Sequence, residues 1–186
     1  LAGLGTVGGG LAGILDKNGE WVQSRLGRPV EIKSVLVRDI AKDRGVQLPP
    51  GAKLTDDPAE LVNDPDIDIL VELMGGLDAP RDLITKALES GKHVVTANKA
   101  LLAEQGGPLF SLASEKGLGL YFEAAVAGGV PVIQTLKEAL ACNRVSRILG
   151  ILNGTANFVL SEMTTQGMDF GDALAEAQRL GYAEAD

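Results

Sequence analysis

Gly3, Gly5 and Gly8 follow the apolar pair Leu1-Ala2 in the spacing G-x-G-x-x-G, and behind them Leu11, Ile14, Leu15 and Val22 recur at helical intervals. A strand-to-helix turn of this kind can hold a diphosphate. The first glycine allows the tight turn, the second a close approach of backbone to ligand, and the third close packing of helix on sheet. The helix N-terminus adds unpaired N–H groups and the positive end of the dipole, with Thr6 and Val7 in that first turn. Glycine turns without a ligand share the pattern, so alone it raises a nucleotide site as a hypothesis rather than assigning one.

Arg38 comes next, at the end of the apolar run Val35-Leu36-Val37. In dinucleotide-binding folds the residue at the end of the second strand reads the adenosine ribose; a carboxylate there suits NAD, and a cation suits the 2′-phosphate of NADP. A guanidinium can grip a phosphate with two hydrogen bonds. With Lys42 and Arg44 close behind it, Arg38 favours NADP(H) over NAD(H). Asp39 keeps two other readings open: it binds the ribose of NAD, or it pairs with Arg38 in solvent.

Lys99 is a candidate for a catalytic or cofactor-handling role. Asn98 suits the N-cap of a helix running from Lys99 through Leu102, and a lysine in a first helical turn opposes the dipole. The Thr96-Ala97-Asn98-Lys99 turn would follow a parallel strand at its C-terminal end, where ligands of such sheets bind. The competing reading is an ordinary exposed lysine. His93, the one histidine, sits at the other end of that strand and reads as structural, with no second histidine for a metal pair. Cys142, the one cysteine, cannot form an internal disulfide and reads as a small buried apolar residue in a reducing, cytoplasmic compartment.

The elements that would position these residues alternate. Apolar runs at Val30–Val37, Ile67–Met74, His93–Ala97 and Gly119–Ala124 read as strands, and patterns at Ala59–Val62, Pro80–Leu88 and Leu109–Lys116 read as helices. Repeated βα units imply an α/β fold with a doubly wound, Rossmann-type parallel sheet, its first strand represented only by Leu1-Ala2. After Gly128-Gly129-Val130-Pro131 the alternation stops: a helix Val132–Leu140, a strand Ser146–Leu152 and helices Thr155–Thr165 and Asp172–Leu180 are expected. We therefore expect a nucleotide-binding domain over 1–127 and the start of a second, α+β domain over 128–186. A hydrophobic content of 45% with 23% charged residues is that of a soluble globular chain, and no apolar run is long enough to span a bilayer. A net charge of −8 and few aromatic residues argue against a nucleic-acid partner.

Six strings then carry a resemblance: Gly3-x-Gly5-x-x-Gly8, Val71-Glu72-Leu73-Met74-Gly75-Gly76, Gly91 through Lys99, Phe122 through Pro131, Gly150 through Phe158, and Gly181-Tyr182-Ala183-Glu184-Ala185-Asp186. In this order they resemble the homoserine dehydrogenase family along the whole chain. The resemblance implies an NAD(P)-dependent oxidoreductase interconverting L-homoserine and L-aspartate 4-semialdehyde, in the pathway to threonine, methionine and isoleucine. It implies that the Gly3–Gly8 turn and Arg38 hold the cofactor, with Met74, Gly75 and Lys99 near its nicotinamide half. It further implies a sodium ion on the backbone carbonyls of Glu123, Val126, Gly128 and Val130. Glu184 would receive the substrate's ammonium group, and the substrate domain would supply a homodimer interface. The family's proton-donating lysine is expected beyond Asp186.

Two rival classes remain at this stage. An aspartate-semialdehyde dehydrogenase needs a nucleophilic cysteine, and Cys142 lacks a glycine-rich or histidine context. A non-catalytic nucleotide sensor would share the glycine turn and is separated by homoserine-dependent turnover.

Overall fold

The structure, a computed structural model, describes residues 1–183; Glu184 lies outside them. Two compact units divide after Ala139, and the Gly128-Gly129 break falls inside the first.

In the first unit, strands β1 (Ser34–Leu36), β2 (Lys53–Thr55), β3 (Ile69–Glu72), β4 (His93–Thr96) and β5 (Leu120–Tyr121) alternate with helices α1 (Thr6–Leu26), α2 (Ala59–Val62), α3 (Asp78–Glu89) and α4 (Lys99–Glu115). All strand pairs are parallel: β1 with β2, and β3–β4–β5 in order. Ala2 joins the two groups by bridging in parallel to both Leu36 and Glu72. Its N–H donates to the Val71 carbonyl at 2.8 Å and its carbonyl accepts from Leu73 N–H at 2.7 Å. With Leu1-Ala2 as the central strand, the sheet reads β2, β1, Leu1-Ala2, β3, β4, β5. That is the doubly wound order, with its reversal between Ala2 and β3.

Alternation along β1 divides the core between the two faces of the sheet. Leu36 packs with Leu70, Ile84, Leu88, Val94, Leu101 and Leu120, while Val35 and Val37 pack with Leu4 on the other face. β2 escapes sequence reading because Lys-Leu-Thr is a short, mostly exposed edge strand without an apolar run. α4 covers both the 99–102 and 109–116 patterns, with non-helical backbone at Gln105 and Pro108 just beyond it. A proline is tolerated there because a first helical turn has no use for its missing N–H. α1 buries Gly8 and Ala12 rather than the expected stripe, and Ile14 is 57% exposed.

After β5 the chain turns through Glu123–Ala125 and then forms α5 (Val132–Gln134), which widens into a π-helical stretch Thr135–Ala139. The second unit holds α6 (Gly154–Thr165) and α7 (Phe170–Arg179), packed through Val159, Ala173 and Ala177. The strand expected at Ser146–Leu152 does not form. A strand needs a neighbour for its backbone groups, and none is present among the described residues of this unit; Leu149 and Leu152 are each 85% exposed. Cys142 is exposed as well, contrary to the expectation of burial.

Candidate functional site

The chain reversal in the sheet opens a crevice of about 1430 Å³ in the first unit, walled by Gly3, Gly5, Thr6, Arg38, Met74 and Gly75 among others. The three glycines stand in three different environments. Gly3 has φ +98, and a β-carbon on it would lie 2.6 Å from the Leu73 carbonyl oxygen; one on Gly8 would meet the Gly3 carbonyl oxygen at 2.2 Å. At Gly5 the same atom meets nothing within 4 Å. Two of these residues are therefore glycine because backbone crosses backbone, whereas Gly5 leaves open space on the crevice wall. Helix α1 begins at Thr6 with no side-chain cap, so its first N–H groups remain for an anion. Val7 and Gly8 do not wall the crevice; Val7 is exposed and Gly8 lies beneath the turn.

Arg38, two residues past β1, lines the crevice together with Asp39, Lys42, Asp43 and Arg44. Arg38 makes no ion pair among the described residues. The Asp39 carboxylate instead accepts the Ala41 N–H at 2.9 Å, and Arg44 donates to the Lys42 and Asp39 carbonyls at 2.7 Å each. The loop is thus closed by Arg44, which leaves Arg38 as the uncommitted guanidinium.

Lys99 is exposed at the start of α4 and does not wall the crevice. Its neighbour Asn98 caps the helix, its Oδ1 accepting from Leu101 N–H at 3.1 Å, and donates from Nδ2 to the Gly76 carbonyl at 2.7 Å. Glu72 and Thr96, inward-facing register partners at the ends of β3 and β4, lie below this loop. Sequence reasoning does not bring them out as a pair; the available signal is a carboxylate inside the otherwise apolar run Ile69–Met74. His93 is structural: its Nδ1 accepts from Gly119 N–H at 2.9 Å.

The loop after Glu123 curls through Ala127 (φ 48) and Gly129 (φ 84). Both Glu123 carboxylate oxygens are committed to the start of α5, accepting from Ile133 N–H at 3.0 Å and Gln134 N–H at 2.8 Å. The Glu123 carbonyl accepts from Val126 N–H and the Val130 carbonyl from Val132 N–H. Each retains a lone pair, and the Val126 and Gly128 carbonyls have no protein donor among the described residues. These are hard oxygen donors of the kind an alkali cation takes; no cluster of acidic, histidine or cysteine ligands accompanies them among the described residues.

In the second unit a smaller hollow of about 480 Å³ is walled by Gly154, Thr155, Asn157, Phe158, Ser161 and Tyr182. Thr155 donates its hydroxyl to the Tyr182 carbonyl, and the rings of Phe158 and Tyr182 lie 5.1 Å apart. The Gly181-Tyr182 segment ahead of Glu184 is thereby tied to α6.

Residues 3–123 match the homoserine dehydrogenase NAD-binding domain, and residues 131–186 match the homoserine dehydrogenase family domain. The chain belongs to the homoserine dehydrogenase family. It is 51% identical over its whole length to a homoserine dehydrogenase of Neisseria gonorrhoeae and 48% identical to one of Pseudomonas aeruginosa, covering 42% of each. A solved homoserine dehydrogenase from Thiobacillus denitrificans superposes with a TM-score of 0.88 at 51% identity, over all of this chain and 42% of that one. A hyperthermophilic archaeal homoserine dehydrogenase in complex with NADPH is similar at 27% identity and a TM-score of 0.72, over all of this chain and 61% of that one. The chain thus spans less than half the length of these bacterial relatives. No helix among the described residues is long and apolar enough to cross a membrane.

Proposed function

We propose that the protein interconverts L-homoserine and L-aspartate 4-semialdehyde with NADP(H), in preference to NAD(H). The observation that carries this is the crevice at the sheet reversal, which gathers the Gly3–Gly8 turn, Arg38 and Met74-Gly75 in a chain of this family. A nicotinamide cofactor, when bound, supplies or accepts the hydride. The residues of the chain bind and orient. Gly5 and the start of α1, with Thr6 and Val7, receive the pyrophosphate, while Arg38 takes the 2′-phosphate as a charge-assisted partner. Met74 and Gly75 wall the nicotinamide end, with Lys99 close by at the α4 N-terminus as a catalytic or cofactor-handling cation.

The carbonyls of Glu123, Val126, Gly128 and Val130 would hold sodium, steadying the turn that leads into α5. Glu184 would pair with the homoserine ammonium, whose fixed charge needs a carboxylate. Residues 1–127 would form the cofactor-binding domain and 128–186 the start of a substrate-binding and dimerising domain, a division supported by the family matches that end at 123 and begin at 131. Assay of the intact protein for homoserine-dependent formation of NADPH, and for the reverse consumption by aspartate semialdehyde, tests the reading. Cofactor binding without turnover in either direction would leave a nucleotide sensor instead.

A further inference from the structure

Glu72 is 0% exposed, and among the described residues no lysine, arginine or histidine pairs with it. A carboxylate taken out of water without a counter-cation is costly unless its oxygens are hydrogen-bonded, and a packed apolar residue would serve stability better. Both oxygens are used. Oε1 accepts the Met74 N–H at 2.8 Å and Oε2 accepts the Thr96 hydroxyl at 2.6 Å. Having directed its only proton to Glu72, the Thr96 oxygen accepts the Asn98 N–H at 3.0 Å. The Asn98 side chain then donates to the Gly76 carbonyl at 2.7 Å, while its oxygen caps α4 at Leu101.

The bonds close a circuit from Met74 through Glu72, Thr96 and Asn98 to Gly76, and the loop Met74-Gly75-Gly76 is its remaining side. Beyond the Met74 side chain, which packs against the core, the two glycines of that loop have little else to hold them. Gly75 and Gly76 have φ of 75 and 82, and a β-carbon on either would meet nothing within 4 Å. With Met74 N–H and the Gly76 carbonyl taken, the N–H groups of Gly75 and Gly76 and the carbonyls of Met74 and Gly75 have no protein partner among the described residues. Donors and acceptors side by side on a crevice wall suit a carboxamide, which offers one carbonyl and one NH₂.

We propose that Glu72, Thr96 and Asn98 are positioning residues that hold the Met74-Gly75-Gly76 loop in register with the α4 N-terminus, ready for the carboxamide of the nicotinamide ring. The proposal rests on the cofactor reading above. It assigns the buried carboxylate to ligand geometry: Glu72 and Asn98 touch no ligand themselves and act through the loop.

The informative variant is Asn98→Asp, which keeps the cap oxygen for Leu101 but replaces the donor to Gly76 with a second acceptor. In the intact protein, NADPH and 2′-phospho-ADP-ribose, which lacks the nicotinamide, are titrated by calorimetry. Asn98→Asp should weaken NADPH about tenfold, the scale of one lost hydrogen bond and its positioning, and leave 2′-phospho-ADP-ribose within about twofold. Thr96→Val should do the same and Thr96→Ser should restore binding. Equal losses for both ligands, or no loss for NADPH, would overturn the proposal. If the unmodified protein binds 2′-phospho-ADP-ribose and NADPH and the variants differ from it in neither, only the positioning role falls. If it binds neither, the cofactor reading falls and takes the proposal with it.

Discussion

A β-carbon placed on Gly8 would fall 2.2 Å from the carbonyl oxygen of Gly3, so the first turn of α1 lies directly on the backbone that enters it. Gly5, three residues earlier, has open space where its β-carbon would be. Gly8→Ala should therefore unsettle the fold by about 2 kcal/mol or more, through a backbone clash no rotamer can relieve. Gly5→Ala should leave stability within about 0.5 kcal/mol while weakening NADPH binding. Urea unfolding and cofactor titration of the two variants distinguish the roles, and a Gly5→Ala protein with normal affinity would remove that residue from the pyrophosphate site.

Arg38→Ala should weaken NADP(H) roughly tenfold to a hundredfold, the loss of one charge-assisted phosphate contact at about 1.5–3 kcal/mol, and should spare NAD(H). Dissociation constants for both cofactors decide it. Parallel changes would return the adenosine end to Asp39.

Lys99→Ala removes a cation from the first turn of a helix that Asn98 already caps. Thermal stability should stay level or rise slightly, since the charge opposes the helix dipole, while kcat/KM falls. A lower melting temperature with normal kinetics would make Lys99 structural.

Lys92, 4% exposed, donates from Nζ to the Asp64 carbonyl at 2.6 Å and the Ile67 carbonyl at 2.9 Å, pinning the 64–67 turn under the sheet. Lys92→Met keeps most of the packing but strands both acceptors, and should cost on the order of 2 kcal/mol. The change is expected in the denaturation midpoint and not in cofactor affinity.

On the surface, Lys33 donates to Asp64 at 2.9 Å and Asp66 at 2.8 Å. These bonds hold the Asp64 carboxyl below its ordinary value of 3.8, with the Asp66 N–H assisting, and hold the Lys33 ammonium above 10.5. The depressed carboxyl contributes stability above its ordinary range and loses it as pH falls through the lowered value. The raised ammonium contributes below 10.5 and loses it as pH climbs past its elevated value. The difference in stability between the native chain and Lys33→Met should thus be greatest across the neutral range and close towards both extremes. Because the groups are exposed the difference is small and declines with salt; a difference that persists at acid pH would contradict it.

Local features of this protein were decided by the sequence, because each needs only neighbours along the chain. Gly3, Gly5 and Gly8 carry the turn in their lack of a side chain, Asn98 caps α4 from one residue away, and apolar periodicity locates β1, β3, β4 and β5 to within a few residues. Tertiary structure decided whatever needs partners from elsewhere. β2 exists because β1 offers its edge, and the segment 146–152, apolar enough to be a strand, stays unpaired among the described residues because a ladder takes two strands. The same holds at the site. Glu72, Thr96 and Asn98 are 24 and 2 residues apart in the chain and become one hydrogen-bonded circuit only when β3 and β4 lie in register, since it is the sheet that sets strand ends side by side.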